Sequence, residues 1–358
     1  MVTQRSLRVL VLADSRAFHT ERYVRELRAQ GCQVLTASLE RGSMTHFHLS
    51  PMSHVPALDY TLASCTVRAI VRRFRPDIVN PHFVSGYGFM AMLAGIGRFA
   101  PVLTTLWGSD ILVVPQKSPI HRWKVTRALS YSDYVLGDSK YILDKARSLA
   151  PLKGTTVIPW GIERTHLALY RDHTLSVPLR IIVPRMHEGV YGNELILRSL
   201  APLITQGHVV LTVPAFGSQV SRFRSLATQL VGDRIRYYQK MPRACFLKFM
   251  AQHDIYLSNA SSDSSPASLI EAFALGLIPV AADIPGVREW LTQESGFLYK
   301  VGKGAELRAL VETLVSRKES FSEQRRLNLA KVQREAVFEQ NIASVIDIMN
   351  RLVAERRA

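Results

Sequence analysis

The segment over residues 261–291 constrains the fold of this chain more than any other stretch. It opens with polar residues and continues as an apolar helical segment from about residue 268 to 275. Gly276 follows at once, and glycine is typical of helix C-termini. The apolar run Ile278–Ala282 then predicts a short buried strand. The turn at 283–286 and the start of another helix follow, so the segment is predicted as loop, helix, strand, loop and helix.

Two carboxylates frame this helix. Asp263 lies in the preceding loop and Glu271 lies inside the helix, with seven residues between them. The unpaired N–H groups at a helix start suit a phosphate, whereas a carboxylate one turn further in can accept hydrogen bonds from sugar hydroxyls. The pair therefore suits a ligand with a diphosphate at one end and a polyol at the other. The alternative is that Asp263 caps a turn and Glu271 lies on the surface.

The string from Asp263 through Glu271 to Val280 resembles the E-x7-E donor signature of the family-4 retaining glycosyltransferases, which have a GT-B fold. The next turn, DIPGVREW over residues 283–290, resembles one subgroup of that family. The resemblance implies an α/β chain of two Rossmann-like, doubly wound domains that face each other across a cleft. We expect an N-terminal acceptor domain over residues 1–165 and a nucleotide-sugar donor domain over residues 166–328. A C-terminal helix over residues 329–358 is expected to cross back to the first domain.

The resemblance also implies roles for residues of the second domain. Arg185 would bind the donor diphosphate together with the backbone at Ser268 and Leu269, because a guanidinium matches phosphate geometry. Glu271 would bind the nucleotide ribose, and Asp263 would bind hydroxyls of the transferred sugar.

Two loops of the first domain carry further candidates. The run LRVLVL over residues 7–12 predicts a buried strand, but the βαβ opening lacks G-x-G-x-x-G, so the dinucleotide fingerprint is absent. His82 follows a strand predicted at 77–80, at the end where ligands bind in doubly wound sheets. Asp110 follows a strand predicted at 102–106, and the resemblance places it near the acceptor hydroxyl or on the polar wall of the cleft. We therefore name Asp110, His82 and Asp263 as candidate catalytic residues.

The chain departs from the family pattern at specific positions. Trp107 stands where the family commonly has a histidine near the donor phosphate and the acceptor, and Tyr191 stands where most members have a second, lysine cation for the donor. The loop after the first strand resembles a branch with a D-S-x-x-x-H-T pattern, in which His19 and Thr20 would face the substrate. A packing or capping role for His19 is equally open.

The charge of the chain suggests an anionic partner. Lys and Arg number 45 against 29 Asp and Glu, a net charge of +16, and the excess lies mainly in the first half. No nucleic-acid-binding motif is present. Basic residues of a helix predicted at 61–74, with others near Phe99 and Trp123, suggest a docking face for anionic lipid; a solvated basic face is the alternative.

The start of the chain indicates a β-strand and shows no signal-peptide pattern. There is no apolar run of the roughly 18 residues that a membrane span needs. The cysteines lack zinc or redox spacing. We expect a cytoplasmic protein, with the inner face of the cytoplasmic membrane as a peripheral docking surface.

The expected function is transfer of a sugar, of the hexosyltransferase type, from a nucleotide-diphosphate-sugar to an acceptor hydroxyl with retention of configuration. The acceptor is expected to be a glycan or a lipid-linked intermediate in the synthesis of cell envelope polysaccharide. No D-x-D motif is present, so neither a metal nor a cofactor is expected. His46 and His48, with His54 nearby, form an H-x-H pattern, but it lacks an acidic or cysteine partner for a metal. The alternatives are a non-catalytic sugar-nucleotide-binding homologue and a nucleotide-sugar epimerase of the same fold.

Overall fold

The computed structural model describes residues 6–49, 56–317 and 321–358. The strands in these ranges are β1 (Arg8–Leu12), β2 (Gln33–Ser38), β3 (Phe47–His48), β4 (Ile78–Pro81), β5 (Leu103–Thr105), β6 (Tyr134–Gly137), β7 (Thr155–Val157), β8 (Leu179–Ile182), β9 (Val209–Pro214), β10 (Arg236–Tyr238), β11 (Ile255–Ser258), β12 (Ile278–Ala282) and β13 (Phe297–Tyr299). The α-helices are α1 (Phe18–Ala29), α2 (Pro56–Phe74), α3 (Phe89–Leu93), α4 (Ser109–Leu112), α5 (Pro119–Tyr131), α6 (Lys140–Leu149), α7 (Asn193–Thr205), α8 (Val220–Val231), α9 (Arg243–Met250), α10 (Ala267–Leu275), α11 (Pro285–Arg288), α12 (Gly304–Ser316), α13 (Ser322–Glu335) and α14 (Phe338–Arg357).

The chain forms two compact units. The first unit comprises Met1–Pro159 together with Glu339–Ala358, and the second comprises Trp160–Phe338. Nearly all of α14 therefore belongs to the first unit. There Arg357 Nη2 donates to the Asp77 carboxylate at 2.7 Å, and Arg356 Nη1 donates to the Gly97 carbonyl at 2.8 Å.

The second unit is built on a parallel sheet with strand order β10-β9-β8-β11-β12-β13. The order reverses between β8 and β11, which makes their carboxyl ends the point where a crevice opens. Neighbouring strand residues pack into different cores: Ile181 of β8 lies against α7, α8 and α12, whereas Ile182 lies in the cluster formed by α9 and α10. The central strands β11 and β12 are covered on both faces, which explains why every residue in them is buried.

The first unit repeats this arrangement. Its strands pair in the orders β3-β2-β1-β4 and β5-β6-β7, all in parallel. The bridges Val79–Val102 and His82–Thr105 connect β4 to β5. The strand order reverses between β1 and β4, so the loops after these two strands lie at the reversal point.

The strand predicted at 278–282 is confirmed residue for residue. The helix stop is confirmed as well, since Gly276 ends α10 in the left-handed conformation with φ +81°. A Cβ atom there would lie 2.2 Å from the Arg171 carbonyl oxygen, so only glycine fits this turn.

The single C-terminal helix predicted over residues 329–358 is wrong, because α13 ends at Glu335 and α14 begins at Phe338. The Ile162 N–H donates to the Ala336 carbonyl and the Phe338 N–H donates to the Ile162 carbonyl, each at 2.9 Å, and this pairing breaks the helix. His54, named beside the H-x-H pattern, lies outside the described residues.

Candidate active site

Two loops at the strand-order reversal of the second unit bring Arg185 and Asp263 together. Arg185 follows β8, Asp263 follows β11, and the Arg185 Nη2 donates to the Asp263 carboxylate. Their side chains are only 17% and 18% exposed. The guanidinium carbon of Arg185 lies 5.2 Å from the centre of the Tyr191 ring. Tyr191, at the position where a lysine was expected, therefore holds Arg185 by a cation–π contact instead of adding a charge.

Glu271 is buried on α10 and pairs with Arg243, which no sequence motif indicates. The Glu271 side chain is 5% exposed, and its Oε1 accepts a hydrogen bond from Arg243 Nη1 at 2.5 Å. The Arg243 Nε also lies 3.5 Å from the Glu163 carboxylate, which contacts His166 Nδ1 at 3.1 Å. Burial opposes the charge of Arg243, but the carboxylates of Glu271 and Glu163 outweigh burial and raise its pKa. Arg243 thus remains a cation that fixes one oxygen of Glu271.

No local pattern marks Arg243, because its partner Glu271 lies 28 residues further along the chain. Arg243 is the first residue of α9 and follows Pro242, which is a helix-start signal and not a binding motif. Only the packing of α9 against α10 brings the two side chains together.

The start of α10 offers fewer free donors than expected. The Leu269 N–H donates to the Pro266 carbonyl at 2.9 Å. Across the described ranges, the Ser268 N–H makes no hydrogen bond. The Ser268 hydroxyl lies 3.2 Å from the Tyr256 hydroxyl. In this conformation Ser268, rather than Leu269, presents a backbone N–H to an anion at the helix start.

The predicted residues of the first unit also come together. The Trp107 ring lies 5.7 Å from the His19 ring and 5.8 Å from the His82 ring, measured between ring centres. Thr20 is completely buried on α1. These side chains follow β1, β4 and β5, so the reversal point of the first sheet gathers them.

The protonation state of His82 follows from its neighbours. The Asn80 amide nitrogen donates to the Leu103 carbonyl at 2.5 Å and to the Thr105 hydroxyl at 3.0 Å, so the Asn80 Oδ1 is an acceptor. His82 Nε2 lies 3.1 Å from this oxygen and must carry the proton. Burial lowers the pKa of His82 to about 3. The ring is therefore neutral, and its Nδ1 is a hydrogen-bond acceptor but a weak base.

Asp110 holds the loops that carry the aromatic residues. Its carboxylate is 0% exposed and accepts hydrogen bonds from the Val84 N–H at 2.8 Å and the Trp107 N–H at 3.0 Å. Burial raises the pKa of Asp110 to about 6, against the lowering effect of these backbone donors. Phe83, next to Val84, has φ +68°, a strained conformation for a bulky residue that the Asp110 contact helps to hold. Direct contact of Asp110 with an acceptor hydroxyl stays a prediction.

Among the described residues, no group of three or more His, Cys, Asp or Glu side chains is arranged to hold a metal ion. The two histidines of the H-x-H pattern have other partners. His46 Nε2 lies 2.9 Å from Arg28 Nη2, and His48 Nε2 lies 3.1 Å from the Leu39 carbonyl.

Comparison with known proteins gives two family matches. The Glycosyl transferase 4-like family matches residues 8–139, and the Glycosyl transferases group 1 family matches residues 182–332. A protein of Bacillus subtilis (strain 168), named as the teichuronic acid biosynthesis glycosyltransferase TuaC, is 23% identical over 259 residues. That match covers 67% of this chain and 61% of the length of the relative.

Two solved structures show the same fold. A glycosyltransferase from Rickettsia africae ESF-5 superposes with a TM-score of 0.81 at 14% identity, covering 98% of this chain and 99% of its own. Anabaena HepE in complex with UDP and glucose gives a TM-score of 0.78 at 15% identity, covering 96% and 99%. The family matches span most of both units, and the sheets of both units have the doubly wound strand order. The chain is a glycosyltransferase and belongs to the group 1 glycosyltransferases of the GT-B fold.

Proposed function

We propose that this enzyme transfers a sugar from a nucleoside-diphosphate-sugar to an acceptor hydroxyl with retention of configuration. The observation that carries the proposal is the pairing of Arg185 with Asp263 at the strand-order reversal of the second unit, next to the start of α10. A guanidinium and a helix N-terminus suit a diphosphate, and carboxylates suit sugar hydroxyls. The UDP and glucose bound in HepE and the biosynthetic role for which TuaC is named support a nucleotide-sugar donor and a cell-envelope glycan acceptor.

The pairing implies an exchange of partners on donor binding. Arg185 moves from the Asp263 carboxylate to the diphosphate, which frees Asp263 for hydroxyls of the transferred sugar. Arg243 keeps one oxygen of Glu271 fixed, and the other oxygen accepts from the ribose hydroxyls. Catalysis then rests on charge stabilisation and positioning. The departing phosphate oxygen takes the acceptor proton on the same face of the sugar, which gives retention without a metal or a cofactor.

Donor binding can be tested by thermal unfolding with UDP-, GDP-, ADP- and TDP-sugars. A ligand present at about a hundredfold its Kd stabilises the folded state by about 2.7 kcal/mol. We expect one nucleotide class to stabilise the wild type but not Glu271→Gln. Glu194→Gln is the matched control, since Glu194 is a carboxylate of the same unit that pairs with the exposed Arg222. Equal stabilisation of the wild type and Glu271→Gln would refute the ribose contact.

Two other functions fit the fold less well. A non-catalytic homologue is suggested by Trp107 and Tyr191, and any donor turnover excludes it. An epimerase needs effective acid–base groups, whereas burial leaves His82 with a pKa of about 3 and hence a weak base. Recovery of an altered but untransferred sugar would favour the epimerase.

We further propose that the first unit docks on the anionic inner face of the cytoplasmic membrane. No helix among the described residues has the length and apolarity of a membrane span. On α5, however, Ile120 is 65% exposed and Trp123 is 54% exposed. The cations Arg122 and Lys124 flank Trp123 in sequence. Exposed apolar side chains among cations are typical of surfaces that insert shallowly into anionic lipid.

A further inference from the structure

The first unit contains a cavity of about 290 Å³ at the reversal point of its sheet. Its walls come from the loops after β1, β4 and β5 and from α1 and α2. The volume lies near the lower end of the roughly 300–1,000 Å³ range of small-molecule sites. The cavity therefore has room for a compact ligand, and its position is the one at which doubly wound sheets bind ligands.

The walls of this cavity are mainly aromatic. The aromatic rings on them are those of Tyr60, Phe83, Tyr87 and Trp107. The Tyr60 and Tyr87 rings contact each other edge to face, with their centres 5.5 Å apart. The Tyr87 hydroxyl also accepts a hydrogen bond from the Leu39 N–H at 3.2 Å. These contacts hold both tyrosine rings in place as flat apolar walls.

Polar groups lie among the aromatic walls. Thr20 is completely buried, lines the cavity, and its hydroxyl has no hydrogen-bond partner in the described part of the chain. A buried hydroxyl without a partner costs about 1–3 kcal/mol, so a ligand that bonds to it is stabilised. His82 supplies a neutral imidazole with an acceptor nitrogen. Asp14 supplies a carboxylate that Arg16 Nη2 contacts at 3.1 Å.

The lining of the cavity disfavours anionic ligands. Among the described residues that line it, none is Lys or Arg, and the Asp14 carboxylate is already paired with Arg16. A phosphate or a carboxylate placed here would lose water without gaining a cation. A prenyl chain fits poorly as well, because it would leave the buried Thr20 hydroxyl without a hydrogen bond. Flat apolar walls with interspersed hydroxyl-bonding groups match a pyranose ring, whose C–H face is apolar and whose rim carries hydroxyls.

We propose that this cavity binds an uncharged sugar ring of the acceptor glycan and rejects phosphate and uronate groups. The inference rests on the proposed transferase reaction. Trp107 forms one aromatic wall against the ring, and the Thr20 hydroxyl bonds to a sugar hydroxyl.

The test is saturation-transfer NMR on the full chain without lipid. The neutral probes are the methyl glycosides of glucose, galactose, mannose and N-acetylglucosamine. The anionic probes are methyl phosphate and, for each of the three hexoses, the methyl glycoside of the corresponding hexuronic acid (the uronide). We expect at least one neutral glycoside to bind, with its uronide and methyl phosphate at least about tenfold weaker. Thr20→Val should weaken binding about fivefold, corresponding to one neutral hydrogen bond. Trp107→Leu should abolish binding, whereas Trp123→Leu, which alters an exposed tryptophan outside the cavity, should leave it unchanged.

Three results would overturn the proposal: no neutral glycoside binds, an anionic probe binds as well as its neutral partner, or binding survives both Trp107→Leu and Thr20→Val. Should Trp107→Leu fail to fold, Thr20→Val decides alone, because it removes one hydroxyl and keeps the side-chain volume. Donor-induced stabilisation, measured in parallel, separates the two claims. If it persists while glycoside binding fails, the acceptor inference is wrong and the donor site stands.

Discussion

Replacing Arg243 tests the buried ion pair that orients Glu271. Arg243→Met keeps a long side chain and removes the charge. The side chains of Glu271 and Arg243 are 5% and 17% exposed, so the substitution leaves a carboxylate buried without its cation. Breaking a buried pair in this way costs about 3–5 kcal/mol. We expect Arg243→Met to lower the free energy of unfolding of the second unit by about 3 kcal/mol.

The pair at Arg222 and Glu194 is the matched control. It has a similar contact, 2.7 Å between nitrogen and oxygen, in the same unit, but the Arg222 side chain is 73% exposed. An exposed pair contributes about 1 kcal/mol or less, so Arg222→Met should change stability only slightly. The contrast separates the effect of burial from that of the contact.

Urea unfolding of Arg243→Met, Glu271→Gln and the double variant measures the coupling between the two residues. Once Glu271→Gln has removed the buried charge, Arg243→Met should cost less, and we expect a coupling energy of at least about 1 kcal/mol. Two results would refute the assignment of Arg243 as the residue that positions Glu271. One is that the effects of the single variants on the free energy of unfolding are additive. The other is that Arg243→Met lowers this free energy no more than Arg222→Met does.

Three further predictions concern the other parts of the two sites. The pKa of Asp110 is raised from 3.8 to about 6, so the folded state binds more protons between these values. The unfolding free energy of the wild type relative to Asp110→Asn should therefore fall by about 2 kcal/mol from pH 4 to pH 7, and a pH-independent difference in urea unfolding would contradict this prediction. Tyr191→Leu should weaken donor-induced stabilisation by about 0.5–2 kcal/mol, because it removes the ring that contacts Arg185. Tyr191→Phe keeps the ring and should not weaken it. Equal donor-induced thermal shifts in the two variants would count against the cation–π contact. Wild-type protein should float with anionic liposomes at low salt, and Trp123→Ala should float less, because Trp123 is an exposed apolar side chain. Absence of flotation of the wild type would refute the proposal of membrane docking.

The sequence predicts the elements whose signals are local. β12 is an apolar run between Gly276 and the polar Asp283. These two residues indicate where the strand begins and ends, and its bounds were predicted correctly. The Asp263-x7-Glu271 spacing likewise pointed to a pair of carboxylates at one helix, and the structure places both next to arginines.

Features set by distant contacts could not be predicted. The break between α13 and α14 depends on backbone pairing with Ile162, far away in the chain, while the sequence across it reads as continuous helix. Arg243 carries no motif, because its role comes from the packing of α9 on α10. The burial of Asp110 also follows from a tertiary contact, since Val84 and Trp107 reach it from two different loops. The sequence shows only an acid after a strand and not these two backbone contacts, and contact of Asp110 with the acceptor stays a prediction.

The most direct test of the central claim is nucleoside diphosphate release from UDP-, GDP-, ADP- and TDP-sugars in the presence of the acceptor glycosides that bind the wild type. We expect release from one nucleotide class and a product with the anomeric configuration of the donor. Release should be lost in an Arg185→Met variant that still unfolds cooperatively. No release from any donor, release that Arg185→Met leaves unchanged, or a product of inverted configuration would contradict it.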